Sequence, residues 1–570
     1  MTKMSALLTV CVLLPCLAEM CFAAEPPKPK FATEAAGVVL SLGQDNKVYV
    51  SCGNMIVQCE RDGSKMVGLP AINSSVTGVA ASSQGLIGVA YAHFTKNVTL
   101  LDRDFNVVNR FTIIADAGFR SPAGVATGPS GDFYALDQGL DRVIRFHADG
   151  IRCGIYRIPR EPADDKGELA HFRVCERTNT IYVVNRAPVV RCYRFDPKSW
   201  KSTCKKLWEV KIEGTLDAGS GLFWGYGGFD VDENGILYVL EKTGGMVKRY
   251  DASGKPMGDV KLAFTDDLKP TDKNYLWGIC VSDGELLLHR SHPTEMFQRY
   301  SLKTGAKISV VEMPKDFYAI VKAPKSNNEG TIIKPVKSDV GVPAGRKTLR
   351  VLFIGNSQFR CVSDIPEIIE EITRATTDKN VPVILTDEIV VGGVGTKGFW
   401  DDGLTRKRIA AGGWDWVVVH EIVYSYGGAT TFAEYMPKFA EAAKKAGAKI
   451  LFVATGEIEQ AKARAGAMYV DAAAMAKKVA GRVAGCGISW TKAWAKDPKL
   501  DFWYTDRAHP SAKGYYINAC VVFAALTDCS PVGMPVYSLG LDKTPITKDE
   551  ASLLQKAAWE QCQEDRKNEK

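Results

Sequence analysis

Ser357, Asp506 and His509 are the residues on which chemistry can be built. Residues 349–354, Leu-Arg-Val-Leu-Phe-Ile, read as a buried strand, and Gly355-Asn356 breaks that run into a tight corner. Ser357 falls just past the carboxyl edge of the strand, where ligands bind in open α/β sheets. An amphipathic helix over about 365–374 should follow and return the chain along the sheet. Far along the chain, Asp506-Arg-Ala-His509-Pro-Ser places a carboxylate three residues before an imidazole, just ahead of another helix. Such a turn can seat the carboxylate on one ring nitrogen and leave the other to take a serine proton. Each motif alone also reads plainly: Gly-Asn-Ser as a turn, and Asp506 as a turn or cap residue beside an exposed His509. Together they point to a serine nucleophile, its base and the group that orients the base.

The elements around them alternate. Strands are expected at 381–391, 414–419 and 449–454, helices at 432–446, 469–483 and 512–526, which implies a parallel sheet between helix layers. Gly392-Gly393 follows the second strand, and a glycine amide there can approach a developing oxyanion because no Cβ intervenes, although Gly-Gly is equally a turn. The third strand, Trp-Asp-Trp-Val-Val-Val, ends at His420-Glu421. The GNS corner, the Gly-Gly segment, this strand and the DRAHPS turn, in this order, resemble the SGNH/GDSL hydrolase superfamily. The likeness is nearest to the subgroup that opens with LFIGNS and closes with D-x-x-H-P-S. It covers about 346–535 and implies an α/β three-layer, flavodoxin-like fold. It further implies Ser357, Asp506 and His509 as catalytic residues, and Ser357 and Gly393 as oxyanion donors. At the edge where the family carries Asn or Gln this chain has His420, so a third donor is in doubt. Glu421 either holds that ring or faces solvent.

The remaining sequence divides by pattern. At 570 residues the chain exceeds one ordinary core. The net charge of +7 is scattered and no nucleic-acid motif occurs, so a nucleic-acid partner is not expected. Residues 1–24 have the basic start, apolar middle and small-residue end of a secretory signal; lipoprotein anchoring at Cys16 ranks second behind secreted or periplasmic release. No stretch is long enough to span a membrane. Residues 25–34 read as a tether, 35–312 as repeats, 313–347 as a linker, 348–535 as the hydrolase-like domain and 536–570 as a helical tail solvated from Lys556 on. In the repeats, glycines recur at Gly37, Gly78, Gly124, Gly228 and Gly278, each opening an apolar strand, a turn and a hairpin ending in Asp. The spacing counts six units of four strands, an all-β six-bladed propeller resembling the NHL type. His93, His147, His171, Arg173 and Trp224 could line its channel, without metal-like spacing. Asn73-Ser-Ser and Asn97-Val-Thr match a glycosylation pattern too short to be specific. Export permits disulfides, with Cys52/Cys59 and Cys192/Cys204 as candidates.

These readings lead to one expectation and two alternatives. The expectation is an exported serine esterase, with no cofactor or metal. Its partner is an acylated carbohydrate or small ester, for example an acetyl ester, while the propeller docks a glycan or protein. The alternatives are a non-catalytic, propeller-based binding protein with a degenerate hydrolase domain, and a propeller-based glycan lyase or glycosidase.

Overall fold

Short apolar strands joined by Gly and Asp turns pair first with their chain neighbours, and that local pairing builds the first half of the molecule. The computed structural model of the protein describes residues 40–569, leaving out 53–54, 71–75, 92–96, 113–123, 161–168, 186–188, 212–227, 241–244, 264–275, 291–294, 315–319, 321–331, 337, 339 and 538–543. The expected signal and tether, and Gly37, Asn73, His93 and Trp224, lie outside the described residues.

Six antiparallel sheets follow one another over 40–70, 76–112, 125–157, 169–211, 229–261 and 276–312, and they form a six-bladed β-propeller. Their innermost strands are neighbours all the way round, and Leu40–Leu42 beside Leu276–Ser282 closes the ring. There the Cys280 thiol donates to the Leu40 carbonyl at 3.1 Å. The repeated glycine has a steric reason. A Cβ on Gly78 would lie 2.7 Å from the Val125 amide nitrogen and 2.8 Å from Gly124 Cα of the next blade. The third blade gains a fifth, outer strand, Lys201–Thr203, parallel to Arg152–Arg157.

The second half is a five-stranded parallel sheet with helices on both faces. Its strands are β1 (Thr348–Gly355), β2 (Val383–Val390), β3 (Trp416–His420), β4 (Lys449–Val453) and β5 (Arg482–Ala484), in the order β2-β1-β3-β4-β5. Alternation along β1 splits its side chains between two cores. Val351 and Phe353 pack with α1 (Ile365–Ala375), α6 (Cys486–Lys496), α7 (Ala512–Thr527) and α8 (Lys548–Glu569). Leu352 and Ile354 pack with α2 (Thr396–Asp401), α4 (Gly428–Lys445) and α5 (Ala465–Val479); the short helix α3 (Leu404–Ala410) adds Ile409 to the same core.

Three expectations are corrected. The C-terminal segment is not a solvated tail: Leu554, Ala557, Ala558 and Cys562 of α8 are buried against α7, so the domain's core extends past 535. The described part of the linker is not free, since Val342 packs on the second core and the Val336 amide donates to Asp149 of the third blade. The disulfide candidates do not meet. Cys192 and Cys204 are unbridged thiols buried in different blade cores, and Cys52 and Cys59 sit at opposite ends of their hairpin, facing Met55 and Val48.

The two halves meet along edges. Strand β2, an edge of the parallel sheet, is buried beside the fourth strands of the second and third blades. Burial there is polar: Arg142 and Arg152 of the third blade reach Asp364, Glu367, Glu370 and Glu388, all nearly sealed from solvent.

Candidate active site

β1 ends in a corner that its own polar side chain builds. The buried Asn356 accepts the Gln358 amide on its Oδ1 at 3.2 Å, and its Nδ2 donates to the Val394 carbonyl at 3.2 Å. The GNS corner is thereby tied to the loop carrying Gly393. That loop is fixed from below by Glu421, a buried carboxylate that accepts the Thr396 amide at 2.9 Å, the Thr396 hydroxyl, and the Thr431 hydroxyl at 2.9 Å. Glu421 therefore neither faces solvent nor pairs with His420; it anchors the N-terminus of α2.

The third segment arrives from the other side of the sheet. Trp490, Trp494, Phe502 and Trp503 stack beneath the 503–510 turn, and the Trp503 indole donates to the Glu457 carbonyl at 2.9 Å. Ser511, not Asp506, caps α7. Asp506 Oδ1 accepts the amides of Ala508 and His509 at 2.9 and 3.0 Å, while its Oδ2 lies 2.7 Å from His509 Nδ1. Two contacts join this segment to the GNS corner: Gln358 Nε2 donates to the Ala508 carbonyl at 3.1 Å, and the Tyr515 hydroxyl to the Ser357 carbonyl at 2.8 Å.

The electrostatics follow from these contacts. Burial is the largest influence on His509 and pulls its pKa down, but the hydrogen bonds it donates to Asp506 and to the Cys361 sulfur reverse this and raise it to about 10. Burial likewise opposes ionisation of Asp506, and its bonds from His509 and two amides overcome this, lowering it to about 2. His420 is fully buried, which lowers it to about 4 and keeps it neutral. Its Nδ1–H is spent on the Val453 carbonyl at 3.1 Å, leaving Nε2 an acceptor without a partner among the described residues. A neutral ring in that tautomer offers an oxyanion no donor.

The predicted residues thus fall into two groups. Ser357, Gly393, Asp506 and His509 lie on three segments cross-linked at the carboxyl edge of the sheet; His420 is packed under Phe359, its ring centroid 5.3 Å away. Ser357 is half-buried, Gly393 is exposed with φ +74°, and neither amide is engaged by the described residues. The Ser357 hydroxyl has no hydrogen-bond partner among them either, and His509 meets Cys361. Sequence reasoning reads Asn356 only as a corner former and misses Gln358, Cys361 and Tyr515. Only Asn356 belongs to a motif, and the others act through folded contacts.

Two groups in the propeller bear on chemistry. His147 is not in the channel: it follows the third strand of its blade, and its Nδ1 lies 2.7 Å from Asp132 Oδ1. With Cys153 these residues place ligand-type atoms within 4.8 Å of one another, which sequence spacing did not reveal. The Arg145 guanidinium, 2.6 Å from Asp132, already supplies the cation there, so the group fits a turn anchor better than a metal centre. On the innermost strands, Arg173 pairs with Asp230 at 2.6 Å and contacts His171.

No family model matches the chain, and no curated protein matches it. Among solved structures, virginiamycin B lyase from Staphylococcus aureus is similar at 16% identity over 50% of this chain and 87% of that one, with a TM-score of 0.33. A protein of unknown function from Bacteroides caccae is similar at 13% identity over 46% and 90%, with a TM-score of 0.34. The WD40 propeller domain of Doa1 is similar at 11% identity over 50% and 85%, with a TM-score of 0.32. Likeness at this level carries nothing about activity.

Proposed function

We propose that the chain is an exported serine esterase of the SGNH type, built on a flavodoxin-like domain and served by the propeller as a substrate-docking or interaction module. In this reading Ser357 Oγ attacks the acyl carbon while His509 takes the hydroxyl proton and returns it to the departing alcohol. Water, deprotonated by the same imidazole, then releases the acid. Asp506 holds His509 in its tautomer. The unengaged amides of Ser357 and Gly393 receive the oxyanion, and His420 has no part in it. Losing one such donor lowers rate by about 10²–10³, so a hole of two amides suits a slow enzyme. The substrate class, an acyl ester such as an acetyl group on a carbohydrate, follows from the resemblance and the expected export.

What supports the reading is the convergence of three segments remote in sequence. Asn356 bonds to Val394, Gln358 to Ala508 and Tyr515 to Ser357, around an Asp506–His509 pair already joined at 2.7 Å. The test is hydrolysis of p-nitrophenyl acetate by the mature protein beside Ser357→Ala, with fluorophosphonate labelling of the serine. Serine-dependent release and labelling are expected; equal turnover by the variant would sink the assignment.

A propeller-centred reading, as a binding module or glycan lyase, is supported by the His171–Arg173–Asp230 contacts on the innermost strands. Failure of both ester release and labelling in a folded protein, with glycan binding lost in Arg173→Ala, would favour it.

A further inference from the structure

We infer that Arg152, a residue of the propeller, is a positioning residue for the Ser357 loop, so that the catalytic half is completed by the third blade. The inference rests on the esterase reading only for its kinetic consequence. Arg152 is 1% exposed and its guanidinium is surrounded by the second domain. Nη1 lies 3.1 Å from both Asp364 Oδ2 and Glu367 Oε2. Nη2 lies 2.5 Å from Glu388 Oε1 and 3.1 Å from Thr386 Oγ1, and Nε lies 3.1 Å from Glu370 Oε2. Two of these carboxylates also grip the nucleophile loop. Arg360, three residues after Ser357, pairs with Asp364 Oδ2 at 2.5 Å and Glu388 Oε2 at 3.1 Å. Asp364 is in turn the N-cap of α1, accepting the Glu367 amide at 3.1 Å. The loop from Ser357 to α1 is therefore pinned at its middle and its end by acids that share Arg152.

Charge favours the sharing. Among the described residues of the second domain, Arg360 faces Asp364 and Glu388, and Arg374 acts on Glu370, with Glu367 close by on α1; buried carboxylates without counter-charge are strongly disfavoured. Arg142 supplies a second cation, bidentate to Glu367 at 2.5 and 3.0 Å, but it does not touch the two acids that hold Arg360. Loss of the Arg152 fork should release the loop without dismantling the propeller. The guanidinium matters as a fork, since a lysine cannot reach several carboxylates in one plane.

The experiment compares the full chain with Arg152→Lys, Glu388→Gln and, as a control at the same interface, Lys201→Met, whose ammonium contacts Glu371 and Tyr537 and neither of the acids that hold Arg360. Hydrogen–deuterium exchange is read over peptides covering 356–364, and ester hydrolysis is read as kcat and KM. Expected for Arg152→Lys and Glu388→Gln is about ten-fold faster exchange or more in 356–364, with the innermost blade strands unchanged. With it kcat should fall by about 10²-fold at nearly constant KM, as for a nucleophile displaced by an ångström. Lys201→Met should leave both readouts as in the parent protein. Unchanged exchange at 356–364 in both folded variants, or an equal rise in Lys201→Met, overturns the inference. If Arg152→Lys fails to fold, Glu388→Gln decides alone. If the parent protein neither cleaves esters nor labels with fluorophosphonate, the esterase reading fails and the exchange result still decides the positioning.

Discussion

Asp506 and His509 stabilise each other's charged forms, and that has consequences for pH. A histidine held up to about 10 is protonated at neutrality and must lose its proton before it can act as a base. We expect kcat/KM for Ser357-dependent hydrolysis to climb through pH 8 to about 10, read directly from a pH–rate profile. Asp506→Asn should lower the rate by about 10⁴ and pull the inflection back toward the ordinary imidazole value; an unmoved inflection would separate Asp506 from the base. The stability sign is fixed by the same shifts. The imidazole's contribution is full below its ordinary 6.5 and is lost as pH rises through about 10. The carboxylate's is full above its ordinary 3.8 and is lost as pH falls through about 2.

The elements explain why those two residues are held so tightly. The turn between Trp503 and Pro510 rests on a stack of aromatic rings and is clamped by Arg507, which pairs with Asp501 at 2.6 Å and with Glu459. In the propeller the limiting element is the innermost strand, where blades converge and side chains run out of room. Gly78→Ala would set a methyl against the backbone of the next blade, and overpacking of this kind costs about 1–3 kcal/mol. Chemical denaturation should report that loss. An alanine variant as stable as the parent would mean that the blades can part without penalty.

At the scale of the whole molecule, the propeller is part of the second domain's structure as well as its neighbour. A parallel sheet with a bare edge invites pairing with other chains, and here the fourth strands of two blades cover β2. The Arg142–Glu367 pair at that seam is almost wholly buried, and two arginines outweigh the burial of Glu367 to hold it ionised, at about 2. Removing one member of such a pair costs about 3–5 kcal/mol because the other stays buried and uncompensated. Calorimetry should therefore show both halves melting in one transition. Arg142→Met should move that transition down and split it; two transitions in the parent, indifferent to the variant, would contradict a shared core.

Much of this protein could be read from local pattern. Glycines at blade spacing, period-two strands and Asp–Gly hairpins specify six blades, because each blade closes on contacts only a few residues apart. The GNS and DRAHPS motifs likewise name a candidate nucleophile, base and orienting acid, since corner and turn geometry are local properties. The role of His420 was not legible, for its tautomer is set by the carbonyl of Val453 on a neighbouring strand. Nor were the partners of Arg142 and Arg152, which in the sequence are ordinary charged strand residues. Apart from Asp137 beside Arg142, their carboxylates stand more than 200 residues away, with separations of 225 for Arg142–Glu367 and 236 for Arg152–Glu388. Only the packing of blade edge against sheet edge brings them together, and it is removal from water that gives those charges their weight.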